Sequence, residues 1–326
     1  MSIKLNDITL EHPFILAPMA GITDSPFRRL MKKYGCSAEI SELISSNAIH
    51  YTSAKTFDIM EFTEEERPIG IQIFGSEEDL LLQAALCVQE RGADFVDLNL
   101  GCSVPKVVKK GSGAALARDL DKLAHILETL HKNLRIPLTI KIRLGWNEDN
   151  KNAKEVVHIA QEMGVNWVAI HGRYSEQMYS GVADWDSIGE IKATSTIPII
   201  GNGDILTPEQ ANEYLTKYKV DAVMIGRACI HTPFIFQQSK ELYTTGTYTP
   251  KTEKDLSKLI KEHRELMEKE YHPKQILTLG RKYFSWYASG LPDCRKFRDD
   301  LFRTQDLSTF WQLVESYFNC SEQEGS

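Results

Sequence analysis

Six polar side chains stand at alternate positions in four successive apolar runs: Gln72 in IGIQIF, Asp97 and Asn99 in DFVDLNL, Lys141 and Arg143 in LTIKIRL, and His171 in NWVAIH. A strand sends neighbouring side chains to opposite faces. In the same runs, Ile69, Ile71 and Ile73, then Val96, Leu98 and Leu100, then Ile140 and Ile142, then Val168 and Ile170 form the other face. A buried lysine or carboxylate costs several kcal/mol unless it is paired or hydrogen-bonded. So many polar groups on one face require a ligand, an internal network, or both; an ion pair between Lys141 and Asp97 is the plain structural alternative.

A second set of signals follows in GNGDILTPEQA and MIGRACIHTPF. Gly201, Gly203 and Gly226 let backbone N–H groups approach an anion, Arg227 adds a permanent charge, and a helix opening near Thr207 or just after Gly226 offers a positive terminus. These features point to a phosphorylated cofactor. GSGAAL, at 111–116, lacks the third glycine of a dinucleotide fingerprint and does not directly follow a strand, so it carries no Rossmann signal. Cys102 lies in NLGCSVPKVVKKGSG, just beyond Asn99. An ordinary thiol, with a pKa of about 8.5, is mostly protonated near neutrality and can act as an acid. Lys106, Lys109 and Lys110 could instead favour a thiolate, and both roles stay open at this point.

The elements that must position these residues repeat one rhythm from residue 14 to about 227, a short β-rich run, a turn, then a helical stretch. The strand candidates are FILAPM, SAEIS, IGIQIF, DFVDLNL, LTIKIRL, NWVAIH, IPIIGN and DAVMIG. Eight parallel strands in about 215 residues is the size of a (β/α)8 TIM barrel, whose catalytic groups lie at the carboxyl ends of the strands. Ser76 with Asp79 is expected to cap the helix of SEEDLLLQAALCVQERG, and Thr207 before Pro208 to open another. The polar stretch 244–252 reads as a linker. Beyond it, Leu256, Leu259, Ile260, His263, Leu266 and Met267, then Leu307, Phe310, Trp311, Val314 and Tyr317, recur at helical spacing. The expected organisation is a catalytic barrel over 1–243 and a small all-α domain over 253–320, with a frayed SEQEGS tail.

Composition narrows the function classes. With 42% hydrophobic and 25% charged residues, the 326-residue chain can bury a sizeable core. Its net charge of −7 excludes a uniformly basic surface, but residues 251–303 sum to +4 and the remainder to −11. Any nucleic-acid grip is therefore local to the tail. Arg281 and Lys282, beside Tyr283, Phe284, Trp286 and Tyr287, are candidates for it, although the aromatic spacing is first that of a helix core. No apolar run approaches a membrane span and no secretory leader is evident, so a cytoplasmic protein is expected. Cys36, Cys87, Cys102, Cys229, Cys294 and Cys320 form no CxxC pair, which fits reduced thiols and no metal site. Cys36, Cys87 and Cys229 read as small buried hydrophobes.

LAPMAGITDSPFRRL, IQIFGS, DLNLGC with its basic glycine-rich loop, TIKIRLGW, AIHGR, IGNGDI and MIGRA, in this order, resemble the tRNA-dihydrouridine synthases. These flavoenzymes reduce a uridine of tRNA to 5,6-dihydrouridine. The motifs cover residues 13–236, and RKYFSWYASGLP in the tail is similar too. The resemblance implies that Pro18, Met19, Ala20, Gln72, Lys141, His171, Asn202, Gly203, Asp204, Gly226 and Arg227 hold FMN. It also implies that Cys102 is the proton donor and NADPH the reductant. The family usually has proline directly after this cysteine; here Ser103 follows it, with Pro105 two positions on, which bears on the rigidity of the loop. By geometry, Asn99 is expected at the flavin or substrate ring and Arg143 toward the RNA. A monomer acting on tRNA is expected. The rival readings are an FMN barrel reductase of a free small molecule and a non-catalytic tRNA-binding module.

Overall fold

The computed structural model describes residues 2–51 and 54–319; Cys320 and the SEQEGS tail lie outside the described residues. The strands are β1 (Ile3–Leu5), β2 (Ile8–Leu10), β3 (Phe14–Leu16), β4 (Glu39–Ile40), β5 (Ile44–Ser45), β6 (Ile69–Phe74), β7 (Phe95–Leu100), β8 (Leu138–Arg143), β9 (Val168–His171), β10 (Ile199–Asn202) and β11 (Ala222–Ile225). Eight of them run parallel in the order β3-β11-β10-β9-β8-β7-β6-β4, with β5 extending the edge of β6. A parallel bridge between Ile15 and Ala38 joins β3 to β4 and closes the ring. All eight expected strands are present, and the architecture is a (β/α)8 barrel.

Alternation sorts the core into two bodies. Ile69, Ile71, Ile73, Val96, Leu98 and Leu100 pack outward into the helical layer. Ile15, Ala38, Ile40, Phe95, Trp167, Ile200 and Met224 fill the interior together with Leu5, Ile8 and Leu10. The last three belong to an antiparallel hairpin, β1 with β2, that plugs the amino-terminal end of the barrel. Asn6 Nδ2 donates to Asn166 O (2.7 Å) and Asn166 Nδ2 to Asp7 Oδ2 (2.7 Å), tying the hairpin turn to the approach to β9. IKL and ITL are too short to show the alternation that marks the barrel strands, so this hairpin is not evident in the sequence.

Helix ends follow local chemistry. Thr207 caps the helix Pro208–Tyr218 through Gln210 N, as expected. The helix Glu78–Glu90 starts later than expected, after Glu77 and without a side-chain cap. Ser76 is instead turned to the loop beyond β7, where its hydroxyl donates to Lys110 O (2.8 Å). After the helix Ile235–Thr245, an irregular stretch leads to Thr252, which forms a capping box with Asp255 at the start of the helix Glu253–Glu270. Three more helices follow, Pro273–Tyr287, Cys294–Arg303 and Leu307–Tyr317. The core of this helical lobe is continuous with the outer layer of the barrel, so the lobe is fused to its side. No helix among the described residues is long and apolar enough to cross a membrane.

His263 sits in this shared core, fully buried, with Tyr287 Oη 3.0 Å from Nδ1 and Nε2 without a partner. Burial pushes its pKa down to about 3. An unfolded histidine titrates near about 6.5, so the unfolded state takes up the proton first. The stability that depends on neutral His263 is complete above that pH and is lost as pH falls toward 3. Wild-type Tm is therefore expected to drop between pH 6.5 and 5, and the drop should shrink in His263→Leu. Thermal melts at stepped pH values check this; equal drops in both proteins would refute it.

Candidate active site

A directed chain of hydrogen bonds runs across three neighbouring strands toward their carboxyl ends. Asp97 is fully buried, and its oxygens accept from Thr139 Oγ1 (2.7 Å) and Gln72 Nε2 (2.7 Å). With its NH2 turned to the carboxylate, Gln72 presents Oε1 to Asn99 Nδ2 (2.9 Å). Asn99 must then present Oδ1 outward, where it accepts from Cys102 N (2.9 Å) and Gly101 N (3.3 Å). An acid deep in the barrel thus orients two amides, and the second holds the loop that carries the thiol. Burial raises the Asp97 pKa, and the Gln72 and Thr139 donors oppose that rise. The ion pair weighed from sequence does not form: the strand register sets Thr139, not Lys141, opposite Asp97.

Lys141 lines a cavity of ≈ 500 Å³ at the barrel mouth with Pro18, Met19, His171, Asn202, Gly203, Asp204, Gly226 and Arg227. Nine residues singled out from sequence therefore meet in one place. Burial, then the charge of Arg143, lowers the Lys141 pKa to about 8, and Asp97 partly offsets this. His171, 9% exposed, is driven down to about 2 by burial and then by the surrounding cations, Lys141 first. Its imidazole is neutral at working pH and offers a hydrogen bond without adding charge. For Asp204, burial would raise the pKa, but a bidentate Arg173 guanidinium (2.9 and 2.7 Å) and Ala183 N–H (2.8 Å) hold it below the ordinary carboxylate value.

The cavity suits a phosphorylated planar ligand. Gly203 has φ +126, and a Cβ there would stand 2.7 Å from Ala183 Cβ and 3.0 Å from His171 Cδ2, so only glycine keeps this wall smooth. Trp185 Nε1 donates to Gly203 O (2.8 Å), and Asn202 Nδ2 to Met224 O (2.7 Å), which holds that wall in register. Gly226, Arg227 and Ala228 border the same space, as expected for an anion-binding end. Among the described residues, no group of three or more His, Cys, Asp or Glu is arranged to hold a metal ion.

Other candidates take different positions. Ala20 is exposed and stands outside the cavity lining, because the chain has already turned toward solvent. Gln72 is buried beneath the cavity in the Asp97 network and does not line it. Arg143, expected to point at RNA, donates through Nη1 to Tyr174 O and Met178 O (2.8 Å each), strapping down the loop after β9. Arg281 donates to the carbonyls of Leu301 (3.2 Å) and Thr304, holding a helix end inside the lobe. Lys282 Nζ donates to Gly21 O (2.7 Å) at the barrel mouth. Arg173, 2% exposed, was passed over; its signal is the HGR that ends the β9 motif, in line with inward His171.

Cys102 is half-buried on the loop beyond β7, outside the cavity lining. Its backbone is fixed at both ends, by Asn99 Oδ1 at N–H and by Ala114 N at the carbonyl (3.0 Å). Gly113 permits that second contact, since at φ +62 a Cβ would lie 2.6 Å from Cys102 O. These contacts hold the loop although Ser103 stands where a proline would stiffen it. Lys106, Lys109 and Lys110 are exposed around it.

A family model described as dihydrouridine synthase (Dus) matches residues 15–321. The chain is 34% identical over 325 residues to tRNA-dihydrouridine synthase B of Pseudomonas aeruginosa, covering 99% of this chain and 98% of that protein. It is 36% identical over 326 residues to the probable tRNA-dihydrouridine synthase of Rickettsia bellii, covering 99% and 100%. Among solved structures, histamine dehydrogenase from Rhizobium sp. 4-9 superposes with TM-score 0.60 at 12% identity, over 81% of this chain and 50% of that larger one. That likeness concerns the barrel fold.

Replacing the middle of the Asp97 chain tests the directional argument. Gln72→Leu leaves a buried carboxylate oxygen unpaired and frees the Asn99 amide to turn. The expected cost is about 2 kcal/mol in urea unfolding, with about tenfold faster hydrogen exchange at the Gly101 and Cys102 amides. Wild-type exchange at those two amides would show that the chain does not hold the loop.

Proposed function

Given that the chain belongs to the dihydrouridine synthase family, we propose that it reduces the C5=C6 bond of a uridine in tRNA, using bound FMN that NADPH re-reduces. The observation that carries this reading is the meeting, at one barrel mouth, of a cation-bordered cavity and a thiol loop held by Asn99. We place the enzyme in the cytoplasm, acting as a monomer.

The residues fit the cofactor. Gly226 and Arg227 would receive the phosphate, Asn202, Gly203 and Asp204 the adjoining wall, and Lys141, His171, Pro18 and Met19 the ring system. When bound and reduced, FMN supplies hydride for C6 of the uracil. Lys141, with its pKa near 8, is charged at neutral pH and answers negative charge on its ligand. Neutral His171 donates or accepts a hydrogen bond without repelling the neighbouring guanidinium groups. Cys102 Sγ delivers the proton to C5, where the negative charge conjugated with the C4 carbonyl is quenched. Asn99 keeps Cys102 at the rim, which makes it a positioning residue. The target base must leave its stack to enter such a mouth.

The RNA grip moves from Arg281 and Lys282 to the neighbouring helix Cys294–Arg303. Phe297 and Leu301 face the core, while Arg295, Lys296, Arg298 and Arg303 are exposed, with Phe302 at 52% exposure beside them. None of these four cations has an ion-pair partner among the described residues. An exposed, predominantly basic face, with Asp299 among its cations and one exposed ring, suits phosphate contacts and base stacking.

Two outcomes test this reading. Cys102→Ala should still let NADPH bleach the flavin but should slow uridine reduction about a hundredfold or more; wild-type turnover of tRNA would remove the thiol from the mechanism. Replacing Arg295, Lys296 and Arg298 with Gln should weaken tRNA binding and flatten the slope of log Kd against log salt by about two, with flavin content unchanged. An unchanged slope would move the grip elsewhere.

A further inference from the structure

The helix Pro273–Tyr287 does more than complete the lobe, because it touches two segments that wall the cavity. One is the short helix Ala228–His231, which follows Arg227 and packs on it; Ala228 and His231 line the cavity. The other is the turn after β3. There Tyr283 Oη lies 2.5 Å from Ile22 O and 2.8 Å from Asp24 Oδ2, and Lys282 Nζ donates to Gly21 O (2.7 Å). On its other side the Gly21 N–H donates to Glu42 Oε2. Tyr283 is itself immobilised, with its ring stacked on Phe27 (5.4 Å, 9°) and set against His263 (4.7 Å).

The turn is closed tightly enough to carry a displacement. Ile22 N and Thr23 N both donate to Met19 O (3.0 Å each), and Thr23 Oγ1 accepts from Met19 N (3.0 Å). Pro18 and Met19 form one wall of the cavity. Moving Gly21 or Ile22 therefore moves Met19.

We propose that Tyr283 and Lys282 are positioning residues that make the helical lobe part of the cofactor pocket: by holding Gly21 and Ile22 they set where Pro18 and Met19 stand. This rests on reading the cavity as the FMN site. The lobe that grips RNA is then mechanically continuous with the wall beside the flavin, and barrel and lobe cannot be tuned independently.

The test uses the full-length apo-protein titrated with FMN, followed by quenching of flavin fluorescence, alongside hydrogen exchange of the Ile22 and Thr23 amides. Tyr283→Phe should raise the FMN Kd about fivefold, the equivalent of one ordinary hydrogen bond, and should speed exchange at both amides. Lys282→Met, at a less buried contact, should shift both in the same direction but less. Phe284→Leu is the control: its ring packs into the lobe against Phe310 and Trp311. It should lower Tm yet leave FMN affinity and exchange at Ile22 and Thr23 unchanged. Wild-type values in both strap variants, or equal weakening in Phe284→Leu, would overturn the proposal. Failure of the wild-type protein to bind FMN would instead overturn the cofactor reading, and the exchange data would still judge the strap.

Discussion

The carboxylate of Asp97, sealed inside the barrel, dictates how everything around the thiol is turned. Its oxygens accept from Thr139 and Gln72, which orients Gln72; Gln72 in turn orients Asn99, and Asn99 holds the loop of Cys102. Each amide could in principle be flipped; a chain that ends on the backbone N–H groups of Gly101 and Cys102, which can only donate, removes that choice. The cost of burying Asp97 is offset by two strong donors, Thr139 and Gln72, both on strands adjacent to its own. Neighbouring strands thus carry the positional information.

The same economy of charge organises the pocket. Lys141 and Arg227 line one space, and behind its wall Arg173 is bidentate to Asp204, which also lies 3.8 Å from Arg227. His171 stays neutral within this field because burial and the cations both oppose its protonation. An anionic ligand completes the balance, which accounts for so much positive charge gathered at the mouth of a chain that is acidic as a whole.

Strand parity made much of this legible beforehand. Period-two alternation identified the inward Gln72, Asp97, Asn99, Lys141, Arg143 and His171, and the barrel count followed from eight β-rich runs. What alternation cannot express is who bonds to whom. Lys141 and Asp97 share an interior, yet the register pairs Asp97 with Thr139 and Lys141 with Asn99, so the ion pair that stood as the structural alternative does not form. Arg281 and Lys282 looked like free surface cations because sequence does not reveal which carbonyls lie within reach of a long side chain; both find backbone oxygens. Ser76 was a plausible cap by spacing alone, but a carbonyl from a distant loop claims its hydroxyl. The amino-terminal hairpin escaped notice because three-residue strands carry little periodic signal.

That hairpin completes a floor with a consequence for traffic through the molecule. Leu5, Ile8 and Leu10 pack beneath Phe95, Trp167 and Met224, so the cylinder is solid below its mouth and, among the described residues, the cavity lies at the carboxyl end of the strands. Anything that must touch the seated ring has to come and go by that entrance, so two large visitors cannot be served together. A donor of electrons and a polynucleotide would have to queue, each vacating before the other arrives, because the ground beneath the ring is filled by side chains from Leu5 to Met224.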